Sequence, residues 1–177
     1  MGRKHMNGFN LLSPLATKAT YSPFWLRVLN ILLGRVIPFN RPHGFRLAHI
    51  EPNKIRTTAP YRRKNHNHIR GIHACAIATV AEFSAGFLLL TTLDPQRFRL
   101  IMSKLEIDYL YQAKAQVYSE SAVEQKILDQ KVVEPLNHQE SVSITIKSQV
   151  TDVSGNTVAV AHTTWQIKRW DRVRTAL

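Results

Sequence analysis

Apolar residues recur at helical spacing near the start of the chain. Ser22 and Pro23 suit the cap and first turn of a helix, and apolar residues then follow every three or four positions as far as Val36. This pattern predicts an amphipathic helix over residues 22–36, whose wide apolar face is expected to pack on its own domain or on a second copy. Peripheral membrane contact is the alternative use of that face. Residues 1–21 show no comparable pattern and are expected to form a loose tail.

Strict alternation of polar and apolar residues marks the strands. Residues 44–61 predict two short strands about a turn at Glu51-Pro52-Asn53, and residues 121–130 have a helix-like composition. A break at Val153-Ser154-Gly155-Asn156 lies between two alternating segments and predicts a second hairpin. Four strand-like segments follow the middle of the chain: 97–111, 113–120, 141–152 and 157–170.

A long apolar run separates the first hairpin from these four segments. Residues 74–93 are long enough for a membrane span, but Glu82 stands inside them, and a central carboxylate costs on the order of 3 kcal/mol on insertion scales. We therefore interpret the run as a buried helix, because a helix wrapped by a curved sheet is also apolar on every side. The order of elements predicts an α+β fold with an antiparallel sheet and one dominant buried helix.

Glu82 is the exception within that run. A buried carboxylate without partners is costly, so Glu82 is expected either to take part in chemistry or to form an ion pair with an arginine. Nine residues separate it from His73, which is about 900° of helical rotation and roughly 13.5 Å of rise. Glu82 therefore points away from the helix start, and a site that uses both residues is expected to draw them from two chains.

The charge balance indicates either an anionic partner or a role in solubility. The 177 residues suffice for one domain, and they carry 24 Lys and Arg against 12 Asp and Glu, a formal charge of +12. Nucleic acid, an anionic membrane surface and a polyphosphate cofactor are the candidates. No nucleic-acid binding is expected, because no RRM, KH or zinc-finger signature occurs. The single cysteine and the absence of a convincing signal sequence favour a cytoplasmic protein.

Histidines cluster in front of the apolar run. His66, His68 and His73 are potential zinc ligands, but their spacing matches no strong zinc signature, so we expect solvated or hydrogen-bonded side chains and no metal. Cys75 follows at the helix start, where a thiol can be activated. Without a visible Cys-His pairing, we expect Cys75 to be a small buried core residue.

These residues carry a resemblance to a known group of proteins. Asn67, His73 and Glu82, at the head of an Ala-rich helix, resemble the Asn...Gly-x-x-His-x-x-Ala...Asp/Glu pattern of hotdog-fold acyl-CoA thioesterases of the phenylacetate-pathway type, and especially of their DUF4442 relatives. The similarity covers roughly residues 36–170. It implies a hotdog fold, in which a curved antiparallel sheet wraps one central helix, as a single domain over residues 22–177 that includes the extra N-terminal helix.

The resemblance also implies a function and a set of roles. The expected activity is hydrolysis of acyl-CoA thioesters in a homodimer or dimer of dimers, with no cofactor apart from the coenzyme A of the substrate. The backbone N–H of Ala74 would polarise the thioester carbonyl, Asn67 would help to place substrate or water, and His73 would shape the loop. Glu82 of the partner chain would act as general base or as nucleophile. The positive end of the helix dipole at Ala74 suits a developing oxyanion.

Basic residues flank the motif on both sides. Arg62, Arg63, Arg97 and Arg99 are candidates for contact with the phosphates of coenzyme A, although a solvated charged face is the default use of such residues. A non-catalytic acyl-CoA or fatty-acyl binding protein and a basic nucleic-acid- or membrane-binding protein are the competing functions.

The sequence departs from the thioesterase pattern at three positions. Arg70 stands where the family has glycine, with Gly71 after it, and Ala74 stands where active enzymes often have glycine. Met102 occupies a strand position that often supplies a Ser or Thr near the water, with Ser103 beside it. These departures keep the non-catalytic binding function open.

Overall fold

The protein is built on a six-stranded antiparallel sheet. The computed structural model describes residues 12–173. The spatial order of the strands is β1-β2-β4-β5-β6-β3, so β1 and β3 are the two edges. The strands are β1 Arg46–Glu51, β2 Lys54–Ala59, β3 Phe98–Tyr109, β4 Val117–Ala122, β5 Val142–Asp152 and β6 Thr157–Arg169. The curved sheet around a long helix is the predicted hotdog fold.

Helices pack against the sheet, and the longest of them contacts most of its strands. The α-helices are α1 Leu12–Tyr21, α2 Pro23–Val36, α3 Asn40–His43, α4 Ala74–Thr92 and α5 Gln125–Leu128. A π-helical turn over Asp129–Val133 continues α5, and 3-10 turns cover Arg63–Asn65, Pro135–Asn137 and Trp170–Arg172. The predicted helix over 22–36 is confirmed with Ser22 as its cap residue. The helix-like segment 121–130 begins later than predicted, because β4 extends to Ala122.

The prediction of a loose tail over residues 1–21 is wrong for residues 12–21, which form α1. Ala16 and Ala19 are only 4% and 6% exposed, and both belong to the main core cluster. Small side chains let α1 lie close to α2 and β1, but they add little to a hydrophobic pattern, so the helix was not evident in the sequence. Residues 1–11 lie outside the described part of the chain.

Helix α2 packs on its own domain. Leu29 and Leu33 are buried in the main core cluster. The Asn30 side chain links the helix to β1, since its Nδ2 donates to the Leu47 carbonyl at 3.0 Å and its Oδ1 accepts from the Leu47 N–H at 2.8 Å. The predicted packing of this helix on the domain is therefore confirmed.

Both predicted hairpins are present. Asn53 in the β1–β2 turn and Gly155 in the β5–β6 turn have φ values of 62° and 86°, which asparagine and glycine tolerate best. The Asp152 carboxylate accepts the N–H groups of Ser154 and Asn156 and stabilises the second turn. This second turn places β5 and β6 side by side along their length.

Helix α4 lies in the core that the sheet surrounds. It is the one helix in the described residues that is long and apolar enough to cross a membrane by length and composition. Eleven of its 19 residues are buried inside the protein, which explains its apolar character. A buried cluster of serine hydroxyls connects it to the sheet: the Ser84 Oγ lies 2.9 Å from that of Ser119 and 2.7 Å from that of Ser121, and Ser148 donates to the Ala81 carbonyl.

Candidate active site

The loop before α4 is organised by Asn67. Its Oδ1 accepts the N–H groups of Gly71 at 2.8 Å and Ile69 at 3.1 Å, and its own N–H donates to the Gly71 carbonyl at 2.9 Å. The side-chain oxygen therefore holds the loop. Within this chain Asn67 therefore shapes the loop, the role that was expected of His73.

Arg70 departs from the resembled pattern but has a backbone conformation that suits the glycine of that pattern. Its φ of 60° lies in the left-handed region, which favours glycine, the residue that the thioesterase pattern has here. The Tyr61 hydroxyl donates to the Arg70 carbonyl at 2.7 Å and supports this conformation. A Cβ on the neighbouring Gly71 would lie 3.0 Å from the side chain of Gln112, so that glycine permits close packing of the loop.

His73 caps α4 and leaves one donor free. Its side-chain Nδ1 accepts the backbone N–H of Cys75 at 3.1 Å, and the backbone N–H of His73 donates to the Asn65 carbonyl at 2.7 Å. Within residues 12–173 the N–H of Ala74 has no hydrogen-bond partner, and Ala74 is exposed. The start of α4 therefore presents a free backbone donor at the positive end of a 19-residue helix.

Glu82 is a carboxylate that is mostly removed from water. Burial raises the pKa of the Glu82 carboxyl above its ordinary value. No ion pair or hydrogen bond reaches this side chain from the residues that the structure describes. The alternative of a structural ion pair with an arginine is thus not supported within this protomer.

An apolar cavity of about 300 Å³ opens beside Glu82. Gly86 allows Trp165 to form part of its wall, since a Cβ on Gly86 would lie 2.8 Å from the Trp165 ring and 3.4 Å from the Glu82 Oε1. The indole Nε1 donates to the Thr163 hydroxyl at 2.9 Å and is thereby fixed. The rest of the wall is mainly hydrophobic: Ile37, Phe39, Phe83, Phe87, Leu90 and Leu100. A carboxylate thus stands at the side of a chamber that suits an apolar chain.

The two reactive features of α4 lie far apart within one chain. Ala74 and Glu82 are eight residues apart, which is about 12 Å of helical rise. One carbonyl group cannot contact both at hydrogen-bonding distance. The structure therefore does not bring the predicted site residues together within a single protomer.

Cys75 was predicted to be buried, and this prediction is wrong. The thiol is exposed, because Cys75 lies on the side of α4 that the sheet leaves uncovered. Thr79 lies one turn further along that side and donates to the Cys75 carbonyl.

The histidines of the preceding loop serve different purposes. His66 stacks on Tyr61 with ring centroids 4.2 Å apart, and His68 is exposed. The described residues contain no group of three or more His, Cys, Asp or Glu that could hold a metal ion.

The four arginines proposed for coenzyme A form two separate pairs. Arg62 and Arg63 adjoin the loop at the start of α4, whereas Arg97 and Arg99 follow its end. The 19-residue helix between them spans about 28 Å. Met102 is partly exposed on β3, and the neighbouring Ser103 hydroxyl donates to the Thr164 carbonyl.

Sheet, central helix, capped loop and helix-borne carboxylate together define a hotdog-fold protein. The chain belongs to the DUF4442 family: the family model, described as a domain of unknown function, matches residues 27–167. No curated protein matches the sequence.

Solved structures with the same fold include proteins named as thioesterases. A Pseudomonas aeruginosa protein of unknown function, named a probable thioesterase, is 26% identical with a TM-score of 0.74, and the match covers 85% of this chain and 99% of that one. A mutant of a Staphylococcus aureus thioesterase is 13% identical with a TM-score of 0.60, covering 74% and 98%. A Haemophilus influenzae thioesterase is 11% identical with a TM-score of 0.63, covering 85% and 95%.

The raised pKa of Glu82 predicts a pH-dependent gain in stability when the charge is removed. The folded state holds the proton more tightly than the unfolded chain, so this carboxyl destabilises the fold increasingly as pH rises from about 4.3 through its folded pKa. The melting temperature of Glu82→Gln should exceed that of the wild type at pH 8, and the difference should shrink toward pH 5.

Glu51→Gln is the matched control for this measurement. Its carboxylate is partly exposed on the edge strand β1 and lies 3.1 Å from the Lys54 ammonium. Removing that charge should not raise the melting temperature at pH 8. If Glu82→Gln raised the melting temperature equally at every pH, the gain in stability could not be assigned to the ionisation of Glu82.

Proposed function

We propose that this protein is an acyl-CoA thioester hydrolase whose active site is completed by a second copy of the chain. The observation that carries the proposal is Glu82, a carboxylate with a raised pKa and no partner in the described residues, beside an apolar cavity. Thioesterase names among proteins of the same fold give independent support. The free N–H of Ala74 supplies the electrophilic part of such a site.

Strand β3 supports dimerisation. It is a 12-residue edge strand with exposed apolar side chains, including Ile101, Met102 and Tyr109. Natural proteins rarely leave such an edge uncovered, because it pairs readily with other strands. Antiparallel pairing of β3 with its copy in a two-fold symmetric dimer covers both edges at once.

The same pairing brings the separated site residues together. The Tyr109 hydroxyl donates to the Ala74 carbonyl at 3.1 Å, so the end of β3 lies beside the start of α4. Leu100, near the beginning of β3, lines the cavity of Glu82. Because antiparallel pairing sets the end of one strand against the beginning of the other, Ala74 of one protomer approaches Glu82 of its partner.

The proposed reaction uses these groups in order. The acyl chain enters the cavity, and the thioester carbonyl oxygen accepts the Ala74 N–H, which stabilises negative charge on that oxygen. As general base, Glu82 takes a proton from water while the water oxygen bonds to the carbonyl carbon; the carbon–sulfur bond then breaks, that proton passes to the coenzyme A thiolate, and the carboxylic acid is released. As nucleophile, the Glu82 carboxylate bonds to the carbonyl carbon and the carbon–sulfur bond breaks, which releases the thiolate and leaves an anhydride. Water then hydrolyses the anhydride to the carboxylic acid and free Glu82, and the second proton of that water passes to the thiolate. Its raised pKa makes the Glu82 carboxylate a stronger base than an exposed glutamate.

The arginine pairs fit the other end of the substrate. In the proposed dimer, Arg97 and Arg99 of one protomer approach Arg62 and Arg63 of its partner, since the pairs lie at opposite ends of α4. Guanidinium groups bind phosphate oxygens well, so this region suits the nucleotide end of coenzyme A.

Hydrolysis of short, medium, long and aromatic acyl-CoAs by the purified protein tests the proposal. Thiol release is monitored for each substrate, with acyl-CoA binding measured in parallel by calorimetry. Turnover of at least one class is expected. Binding without turnover of any substrate would favour a non-catalytic acyl-CoA binding protein, and the absence of both would overturn the proposal.

Hybrid dimers test whether the site is shared between two chains. Glu82→Gln and Ala74→Pro proteins with different affinity tags are co-expressed, so that random pairing makes half of the dimers hybrids. Each hybrid has one intact site if the two residues come from different chains, and activity should return to about one quarter of the wild-type level.

The individual variants, expressed alone with both tags, serve as controls and should stay inactive. If Ala74 and Glu82 of the same chain form the site, no hybrid contains an intact site, and the mixture would show no more activity than the variants alone.

A further inference from the structure

Positive charge is concentrated at the start of the chain. The first 50 residues contain no Asp or Glu, and Glu51 is the first acidic residue. This segment therefore contributes +7 of the formal charge of +12. The basic residues are Arg3, Lys4, Lys18, Arg27, Arg35, Arg41 and Arg46.

Three of these arginines converge with Arg62 on one cleft between α2, α3 and β1. The cleft has a volume of about 350 Å³ and is lined by Arg35, Arg41, Arg46 and Arg62. The Arg62 guanidinium lies over Gly44, where a Cβ would come within 2.8 Å of it. None of the four side chains has an ion pair or side-chain hydrogen bond among the described residues. Like charges so arranged repel each other, and a phosphate group would relieve that repulsion.

Exposed apolar side chains lie on α2, which forms one side of the cleft, and just before α3. Phe24 is 63% exposed, Ile31 is 59% exposed and also lines the cleft, and Phe39 is 61% exposed. Phe24, Arg27, Ile31 and Arg35 follow one another at intervals of three and four residues, so they share one face of α2. This face carries both apolar groups and cations on the outside of the protein.

We propose that the basic apolar face, which comprises the exposed side of α2, the arginine cleft and Phe39, binds the surface of an anionic lipid bilayer. Arg35, Arg41 and Arg46 of the cleft bind lipid phosphates. Phe24, Ile31 and Phe39 enter the boundary between headgroups and acyl chains. A second copy of the chain is a poorer occupant, because a two-fold contact through this face would set two sets of unpaired arginines against each other. Nucleic acid would satisfy the charges but not the apolar side chains.

The face adjoins the candidate active site. Ile37 and Phe39, which follow α2, also line the cavity beside Glu82. If the proposed thioesterase function holds, membrane binding places the mouth of the acyl cavity at the bilayer surface, where long-chain acyl thioesters partition. Membrane binding itself does not depend on catalysis.

Co-sedimentation with lipid vesicles tests the proposal. The full chain is incubated with vesicles of phosphatidylcholine alone or with about 30% phosphatidylglycerol, and the partition coefficient is measured at low and high salt. We expect binding only to the anionic vesicles, weakened by salt. Arg35→Glu combined with Arg41→Glu should lower the partition coefficient at least about tenfold, because each basic group near an anionic surface contributes to binding.

A control with the same change in charge distinguishes an effect of this face on vesicle binding from an effect of the overall charge. Lys126→Glu combined with Lys131→Glu alters two exposed residues around the π-helical turn, and it should change binding by no more than about threefold. The milder Arg35→Gln with Arg41→Gln should still weaken binding, and circular dichroism confirms that each variant is folded. Phe24→Ser with Ile31→Ser should also weaken binding, without altering the number of charges.

Three results would overturn the proposal. One is equal binding to neutral and anionic vesicles. Another is an equal loss of vesicle binding in the cleft variant and in the Lys126→Glu, Lys131→Glu control. The third is tight RNA or DNA binding that depends on Arg35 and Arg41, with no vesicle binding. Acyl-CoA hydrolysis is assayed without vesicles, so its failure and the failure of membrane binding are separate observations.

Discussion

Glu82→Gln is expected to lower kcat for acyl-CoA hydrolysis by roughly 10²- to 10⁴-fold, the range typical of losing a general base. The amide keeps the shape of the side chain but cannot accept the proton of the attacking water. KM should change little, because the apolar cavity beside the residue is unaltered. Steady-state kinetics with the best acyl-CoA of the panel measures both quantities.

A control variant and a single-turnover experiment make this result interpretable. Glu51→Gln removes a partly exposed carboxylate that is paired with Lys54 on β1, at the opposite edge of the sheet from β3, and its kcat should equal that of the wild type. A Glu82→Gln protein that is folded, dimeric and fully active would exclude Glu82 from the chemistry. Mass spectrometry of a quenched single turnover identifies the role: an acyl adduct on Glu82 marks a nucleophile, and its absence favours a general base.

Ala74→Pro should lower kcat by about 10²- to 10³-fold, the effect of removing one oxyanion donor. Proline lacks the N–H, yet it is well tolerated at the first position of a helix, where that N–H has no helical partner. The preceding His73 has φ −63° and ψ 140°, a conformation that is compatible with a following proline. The substitution therefore removes the donor while α4 can still begin at residue 74.

Ala74→Gly is the matched control, since it retains the N–H and should retain most of the activity. The melting temperature of Ala74→Pro verifies that the helix start is preserved. Equal kcat values for the proline and glycine variants would show that the Ala74 N–H does not stabilise the transition state.

The regular elements could be predicted because their burial is periodic. Residues 141–152 and 157–170 alternate strictly, as strands with one buried face do, and the apolar run over α4 reflects a helix that is surrounded by the sheet. Helix α1 was missed because alanines form its buried side. Burial of Cys75 was expected because no Cys-His pairing was visible in the sequence, but the sheet does not cover that side of the helix.

The site was predictable in its residues and not in its surroundings. Glu82 stood out because a charge interrupts an apolar run. The cavity beside it is built from Ile37, Leu100 and Trp165, which are distant in the sequence and meet only through the fold. The lack of an arginine partner for Glu82 likewise depends on three-dimensional placement, which no local pattern contains.

The buried serine cluster has a consequence for the direction in which Glu82 points. A helix that is apolar on every side gains almost the same hydrophobic free energy at several rotations about its axis, so apolar packing alone leaves its rotational register weakly defined. The hydrogen bonds that link the Ser84 hydroxyl with those of Ser119 and Ser121, and the one that Ser148 donates to the Ala81 carbonyl, are satisfied at one rotation only. Ser84 lies two residues after Glu82, and the polar contacts on the inner side of α4 thus orient the carboxylate on its outer side toward the cavity.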